Sequence, residues 1–153
     1  MRLTSADFSH DGRMPAFCAC EGQSLSPALA WADAPARTLS FLVLCEDPDA
    51  PDGARRHWAA YDIPHGWSHL DRGAGRAAAR RHIKQAVNDF GKAGYGGSSP
   101  HERDRPHPLR FTLLALSIDR LPVDAGARCE DVEREARRHV LAEATLVGIC
   151  EPA

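Results

Sequence analysis

The spacing of prolines constrains this chain more than any other feature. Eleven prolines are spread over 153 residues, and ten of them punctuate the stretch from Pro15 to Pro122. Proline fixes φ and has no N–H to donate, so it interrupts helices and central strands. The pieces left between these breaks are apolar and of strand length: residues 38–45 (TLSFLVLC), 58–63 (WAAYDI) and 110–118 (RFTLLALSI). The pattern predicts a mainly β, sandwich-like single domain with long loops. With 43% apolar and 26% charged residues the composition is that of a globular chain.

Two segments break the pattern. In residues 130–147 the apolar positions Val132, Ala136, Val140, Ala144 and Val147 lie close to helical spacing. Acidic residues open the segment, Arg137, Arg138 and His139 follow, and Gly148 resembles a helix stop. This predicts one C-terminal helix. Residues 71–82 (DRGAGRAAARRH) suit a surface loop and a short helix equally, and their arginines read as a solvated charged stretch.

A net charge of −2 gives no field to recruit nucleic acid, and no apolar run is long enough to span a membrane. No apolar core follows Arg2, so no signal peptide is expected. Five cysteines at irregular spacing (Cys18, Cys20, Cys45, Cys129, Cys150) read as free thiols in a reducing compartment, which implies a cytoplasmic location. Cys18 and Cys20 form C-x-C without a second pair, which argues against structural zinc. Asp89-Phe90-Gly91 imitates a kinase motif, but the order of the surrounding motifs is wrong and the chain is too short.

Three polar clusters stand at strand ends. They are the turn 47–51 (DPDAP), His57 at the start of the second apolar run, and the glycine-rich loop 94–100 (GYGGSSP) followed by His107. A glycine loop can aim backbone N–H groups at an anion. A carboxylate can orient a histidine, and either Asp47 or Asp49 could do so for His57 or His107. No nucleophile accompanies them with a base, so binding is favoured over catalysis.

These segments resemble the phosphatidylethanolamine-binding proteins, in the bacterial Raf-kinase-inhibitor-like branch of the YbhB/YbcL type. The resemblance rests on 22–31 (GQSLSPALAW), the DPDAP turn, His57-Trp58 with Ile63-Pro64, 88–100 (NDFGKAGYGGSSP), 111–116 (FTLLAL) and 139–148 (HVLAEATLVG), the last matched to a final helix. It implies a β-sandwich with a large central antiparallel sheet, a smaller sheet, a C-terminal helix and peripheral short helices. It also implies a small anion pocket formed by Asp47, Asp49, Pro51, His57, Gly97, Ser99, Pro100 and His107. The ligands implied are phosphate, phosphoethanolamine-like head groups, or carboxylates such as acetate. A cis peptide at Ala50-Pro51 is implied too. Ser98 and His101 replace prolines of the branch, Leu109 replaces a tyrosine, and Arg55 and Arg56 stand where an aromatic residue is common. The rim is therefore expected to be more cationic, with altered selectivity among anions.

The expected function is non-enzymatic binding of a small anionic ligand, with no cofactor, metal or catalytic residue assigned. Regulation of a kinase or other signalling protein is a partner role implied by analogy. Two alternatives remain: a metal- or His/Asp-dependent hydrolase, and a protein-interaction module, a homodimer included, that uses an exposed sheet or the 72–81 stretch.

Overall fold

The computed structural model describes residues 1–19, 23–50, 53–76, 83–97 and 105–151. Along the chain run β1 (Arg2–Thr4), β2 (Gly12–Arg13), β3 (Leu29–Ala32), β4 (Ser40–Asp47), β5 (Arg55–Pro64), β6 (His69–Leu70), β7 (Lys84–Gln85), β8 (His107–Leu116), α1 (Cys129–Ala136) and β9 (Val140–Cys150). Among the described residues they form a three-stranded sheet, β1-β3-β6, and a six-stranded sheet, β2-β9-β8-β4-β5-β7. All pairings are antiparallel except β2 with β9.

The three apolar runs supply β4, β5 and β8, the centre of the large sheet. β4 is buried on both faces, which explains its unbroken apolar character. Phe41, Val43 and Cys45 join a core with Leu29 and Trp31 of the small sheet and Phe111 and Leu113 of β8. Leu42 and Leu44 join a second core with Leu114, Leu116, Val132 and Ala136. The first core fills the sandwich and the second lies under α1.

The expected helix over 130–147 is corrected. α1 ends at Ala136, a 3-10 turn covers Arg137–His139, and the rest is β9. Cys129, Val132 and Ala136 do form a buried helical stripe, and Glu130 and Asp131 occupy its first turn. Beyond it the residues that face the sandwich core follow a period of two. Ala142, Ala144, Leu146 and Cys150 face the sandwich core, while Glu143 and Thr145 are exposed. A ladder along the whole of β8 outweighs the helical reading. Gly148 is no helix stop. It sits within β9, where a Cβ would lie 2.4 Å from Met14 Cγ.

The rule that prolines stay out of central strands also needs correction at Pro108, which lies in β8 opposite Ile149. The β4 ladder reaches only as far as Arg110, so Pro108 is paired on one side alone and its missing N–H breaks no bond. Within 71–82, residues 72–75 form a turn and 77–82 lie outside the described residues. Arg72 is not merely solvated. It pairs with Asp7, and its Cζ lies 4.4 Å from the Phe17 ring centroid, tying down the N-terminal segment.

Cys18, Cys45 and Cys129 are free thiols and, like Cys150, are buried, and Cys20 lies outside the described residues. Burial pushes the Cys18 and Cys129 thiols up to about 12 from an ordinary 9.0. A thiol reagent near pH 8 is therefore expected to leave these four unreacted in the native protein, and to titrate all five cysteines in denaturant. The folded-state values exceed the unfolded ones, so this contribution to stability is complete below about pH 9 and is lost as pH rises toward 12. Cys129→Ala should flatten the alkaline fall in thermal midpoint, which a pH series of melting curves reads directly.

Candidate functional site

Asp47 ends β4, whereas Arg55 and His107 begin its two antiparallel neighbours, β5 and β8. The three therefore meet at one end of the large sheet. Of the pairings left open by the sequence, the structure forms Asp47 with His107. Asp47 Oδ2 lies 2.7 Å from His107 Nδ1, with side-chain exposures of 2% and 8%. The two atoms are in close contact without the geometry of a linear hydrogen bond. A bare nitrogen lone pair at that distance would repel the carboxylate, so the proton resides on Nδ1. Asp47 Oδ1 accepts the Asp49 N–H at 2.9 Å, which closes the DPD turn. His107 Nε2 is buried without a hydrogen-bond partner among the described residues.

His57 is placed by a bulge. Cys45 opposes Trp58 and Glu46 opposes Arg56, so His57 is an extra residue on β5. Its ring is fully buried. Nδ1 lies 2.6 Å from Gly96 O, and because a carbonyl only accepts, Nδ1 carries the proton. Gly96 N–H returns a bond to His57 O at 3.0 Å. The Phe90 ring meets the imidazole edge-on, centroids 5.0 Å apart.

In the described part of the glycine loop, residues 94–97, the N–H groups are all taken up within the protein. The N–H groups of Gly94, Tyr95 and Gly96 donate to Ala86, Gly75 and His57 carbonyls, and that of Gly97 donates to Ser24 Oγ. These donors brace the loop instead of pointing at an anion. Glycine is required for close approach: a Cβ on Gly96 would lie 2.9 Å from Phe90 Cδ2.

Asp49 is exposed and contributes its N–H to Asp47. Leu109 is fully buried in the sandwich core. Pro51, Ser99 and Pro100, and with them the Ala50-Pro51 peptide, lie outside the described residues. Sequence reasoning missed three supporting residues. Ser24, within the 22–31 segment, holds Gly97 by accepting its N–H. Asn88 accepts the Phe90 and Lys92 N–H groups and donates to Gly94 O, joining both ends of the loop. Phe90 packs on His57. The last two open the 88–100 segment on which the resemblance rests, and Phe90 is also part of the Asp89-Phe90-Gly91 string that imitates a kinase motif. Among the described residues no group of three His, Cys, Asp or Glu side chains is placed to hold a metal ion.

Comparison with known proteins agrees with this architecture. The sequence model of the family described as phosphatidylethanolamine-binding protein matches residues 4–151. A UPF0098 protein of Aquifex aeolicus is 36% identical over 149 residues, covering 97% of this chain and 87% of the relative. Escherichia coli YbhB is 39% identical over 132 residues, covering 84% and 83%. The crystal structure of Escherichia coli YbcL, described as a member of the mammalian PEBP family, superposes with a TM-score of 0.92. It is 31% identical, with 99% of this chain and 98% of that one covered. The chain belongs to the phosphatidylethanolamine-binding protein family. Within it, the likeness is to the bacterial proteins of the YbhB and YbcL type.

Proposed function

We propose that the end of the sheet formed by Asp47, His57 and His107 binds a small anionic ligand, with a phosphate, phosphoethanolamine-like or carboxylate group, without chemical turnover. One observation carries the reading: Asp47 holds the buried His107 through Nδ1 while Nε2 has no partner among the described residues. Protonated, that nitrogen is a donor to an anionic oxygen in a site of low dielectric, where such a bond is strongest. The same carboxylate holds the ring at fixed orientation, so little rotamer freedom is lost on binding. Family membership supports the reading. Buried thiols raised far above neutral pH supply no nucleophile, which supports binding rather than catalysis. Free cysteines support a cytoplasmic location. A role in regulating a kinase or other signalling protein rests on the family likeness alone.

Melting curves and calorimetry with phosphate, phosphoethanolamine and acetate test this. A ligand at a hundred times its Kd should stabilise the native protein by about 2.7 kcal/mol. His107→Gln preserves a donor to Asp47 but cannot become cationic, so it is expected to fold and to lose most of that response. An equal response in both proteins would overturn the proposed site.

A further inference from the structure

Ser24 holds its backbone at φ +51°, in the left-handed region that serine rarely adopts. Bonds on either side keep it there. Ser24 N–H donates to Ala19 O at 3.1 Å, and Leu25 N–H donates to Phe17 O at 2.9 Å. Held this way, the hydroxyl reaches the glycine loop, 73 residues on in the sequence, where Oγ accepts the Gly97 N–H at 2.8 Å. Gly97 is buried, so its N–H would be costly to leave without an acceptor. That N–H and the Gly96 carbonyl belong to one planar peptide group and, the peptide being trans, point to opposite sides of it. Gly96 O is the atom that accepts the His57 Nδ1–H at 2.6 Å. Ser24 and His57 therefore grip the same peptide from opposite sides.

We propose that Ser24 is a positioning residue of the candidate site, acting through the Gly96–Gly97 peptide on the His57 ring. The inference rests on the binding reading above and adds the residue that sets one of its two imidazoles. The return bond from Gly96 N–H to His57 O fixes the peptide before Gly96, not the one after it. Glycine leaves those two planes free to turn against each other, so the aim of the Gly96 carbonyl needs a second hold. Ser24 Oγ supplies it. The Phe90 ring, edge-on to the imidazole, limits where the ring lies but does not choose which nitrogen carries the proton. The strain at Ser24 is thereby accounted for. Glycine would relieve the backbone at this position but would offer no acceptor. Tyr95 ties the loop to the same N-terminal segment, its hydroxyl donating to Cys18 O at 2.9 Å, so the loop stays close to Ser24.

Ser24→Gly separates positioning from stability. It relieves the backbone and deletes the acceptor together, so urea melts should show a stability close to that of the wild-type protein. Nitrogen NMR of the neutral His57 ring should show the proton on Nδ1 in the wild-type protein and shared between Nδ1 and Nε2 in the variant. Calorimetry with inorganic phosphate on the full chain should show an affinity lower by about tenfold, the scale of one hydrogen bond. Ser24→Ala should give the same two changes with lower stability, because the backbone strain remains. Ser24→Asn supplies an amide oxygen and tolerates positive φ, so it should restore both readouts. Ring shifts unchanged in Ser24→Gly would overturn the inference, and so would shifted ring signals with wild-type phosphate affinity. If the wild-type protein bound no phosphate, the binding reading would fall, and the ring shifts alone would decide whether Ser24 positions His57.

Discussion

Gly94→Ala is expected to lower the thermal midpoint by roughly 10 °C, from a loss of about 3 kcal/mol at the few degrees per kcal/mol typical of this size. Gly94 has φ of +110°, a conformation that side chains rarely adopt. A Cβ there would sit 2.3 Å from the carbonyl oxygen of Gly75, which is backbone and cannot swing aside. Relief requires the loop to withdraw from Gly75, breaking the bond from Tyr95 N–H to Gly75 O. Tyr95 is buried, packs on Trp58 and donates its hydroxyl to Cys18 O, so the disturbance enters the core. It also reaches the site, because Gly96 holds His57. Gly91→Ala is the matched control. Its φ is +82°, but nothing lies within 4 Å of the added Cβ, so only about 1 kcal/mol of backbone strain is expected. Urea melts of the two variants measure the difference. Similar losses would show that the close approach to Gly75 does not limit stability.

Much of the architecture is legible in the chain because proline breaks and apolar runs act locally. β4, β5 and β8 each coincide with an apolar run, and the turn at Asp47 follows from Asp-Pro-Asp chemistry. β9 was hidden because Val132, Ala136, Val140 and Ala144 recur every four residues, a spacing that satisfies periods of two and of 3.6 alike over its second half. What decides it is the partner strand β8, which no local pattern reveals. The two-residue strands β2, β6 and β7 are too short to carry any periodicity.

The site was legible as a set of residues but not as a set of contacts. Asp47, His57 and His107 are marked by their places at strand ends. Which carboxylate meets which ring depends on the register of three strands and on the extra residue at His57. The partners of the N–H groups at 94–97 were not legible for a related reason. Glycine permits N–H groups to face an anion, but it equally permits backbone to approach backbone, and only tertiary packing selects between these.

Two substitutions at Asp47 should separate its structural effect from its effect on the ligand. Asp47→Ala removes the partner of His107 and the acceptor of the Asp49 N–H in a nearly fully buried setting. A loss of about 3 kcal/mol is expected, together with weak phosphate binding, because the ring is no longer oriented. Asp47→Asn keeps the shape and an oxygen for Asp49, but presents an amide N–H group to His107. Nδ1 must then accept, and the ring proton moves to Nε2. In the wild-type protein the Asp47 carboxylate holds one ring proton at Nδ1, so Nε2 donates only when the ring carries both protons. In Asp47→Asn the neutral ring still donates from Nε2. Its phosphate affinity should therefore exceed that of Asp47→Ala, whose ring is no longer oriented. Nitrogen NMR shifts of the ring report the tautomer and calorimetry reports the affinity, so the two effects are read independently. If the proton moves to Nε2 while Asp47→Asn binds phosphate no better than Asp47→Ala, the phosphate is not read by His107, and the group that binds it must be sought elsewhere on the same end of the sheet.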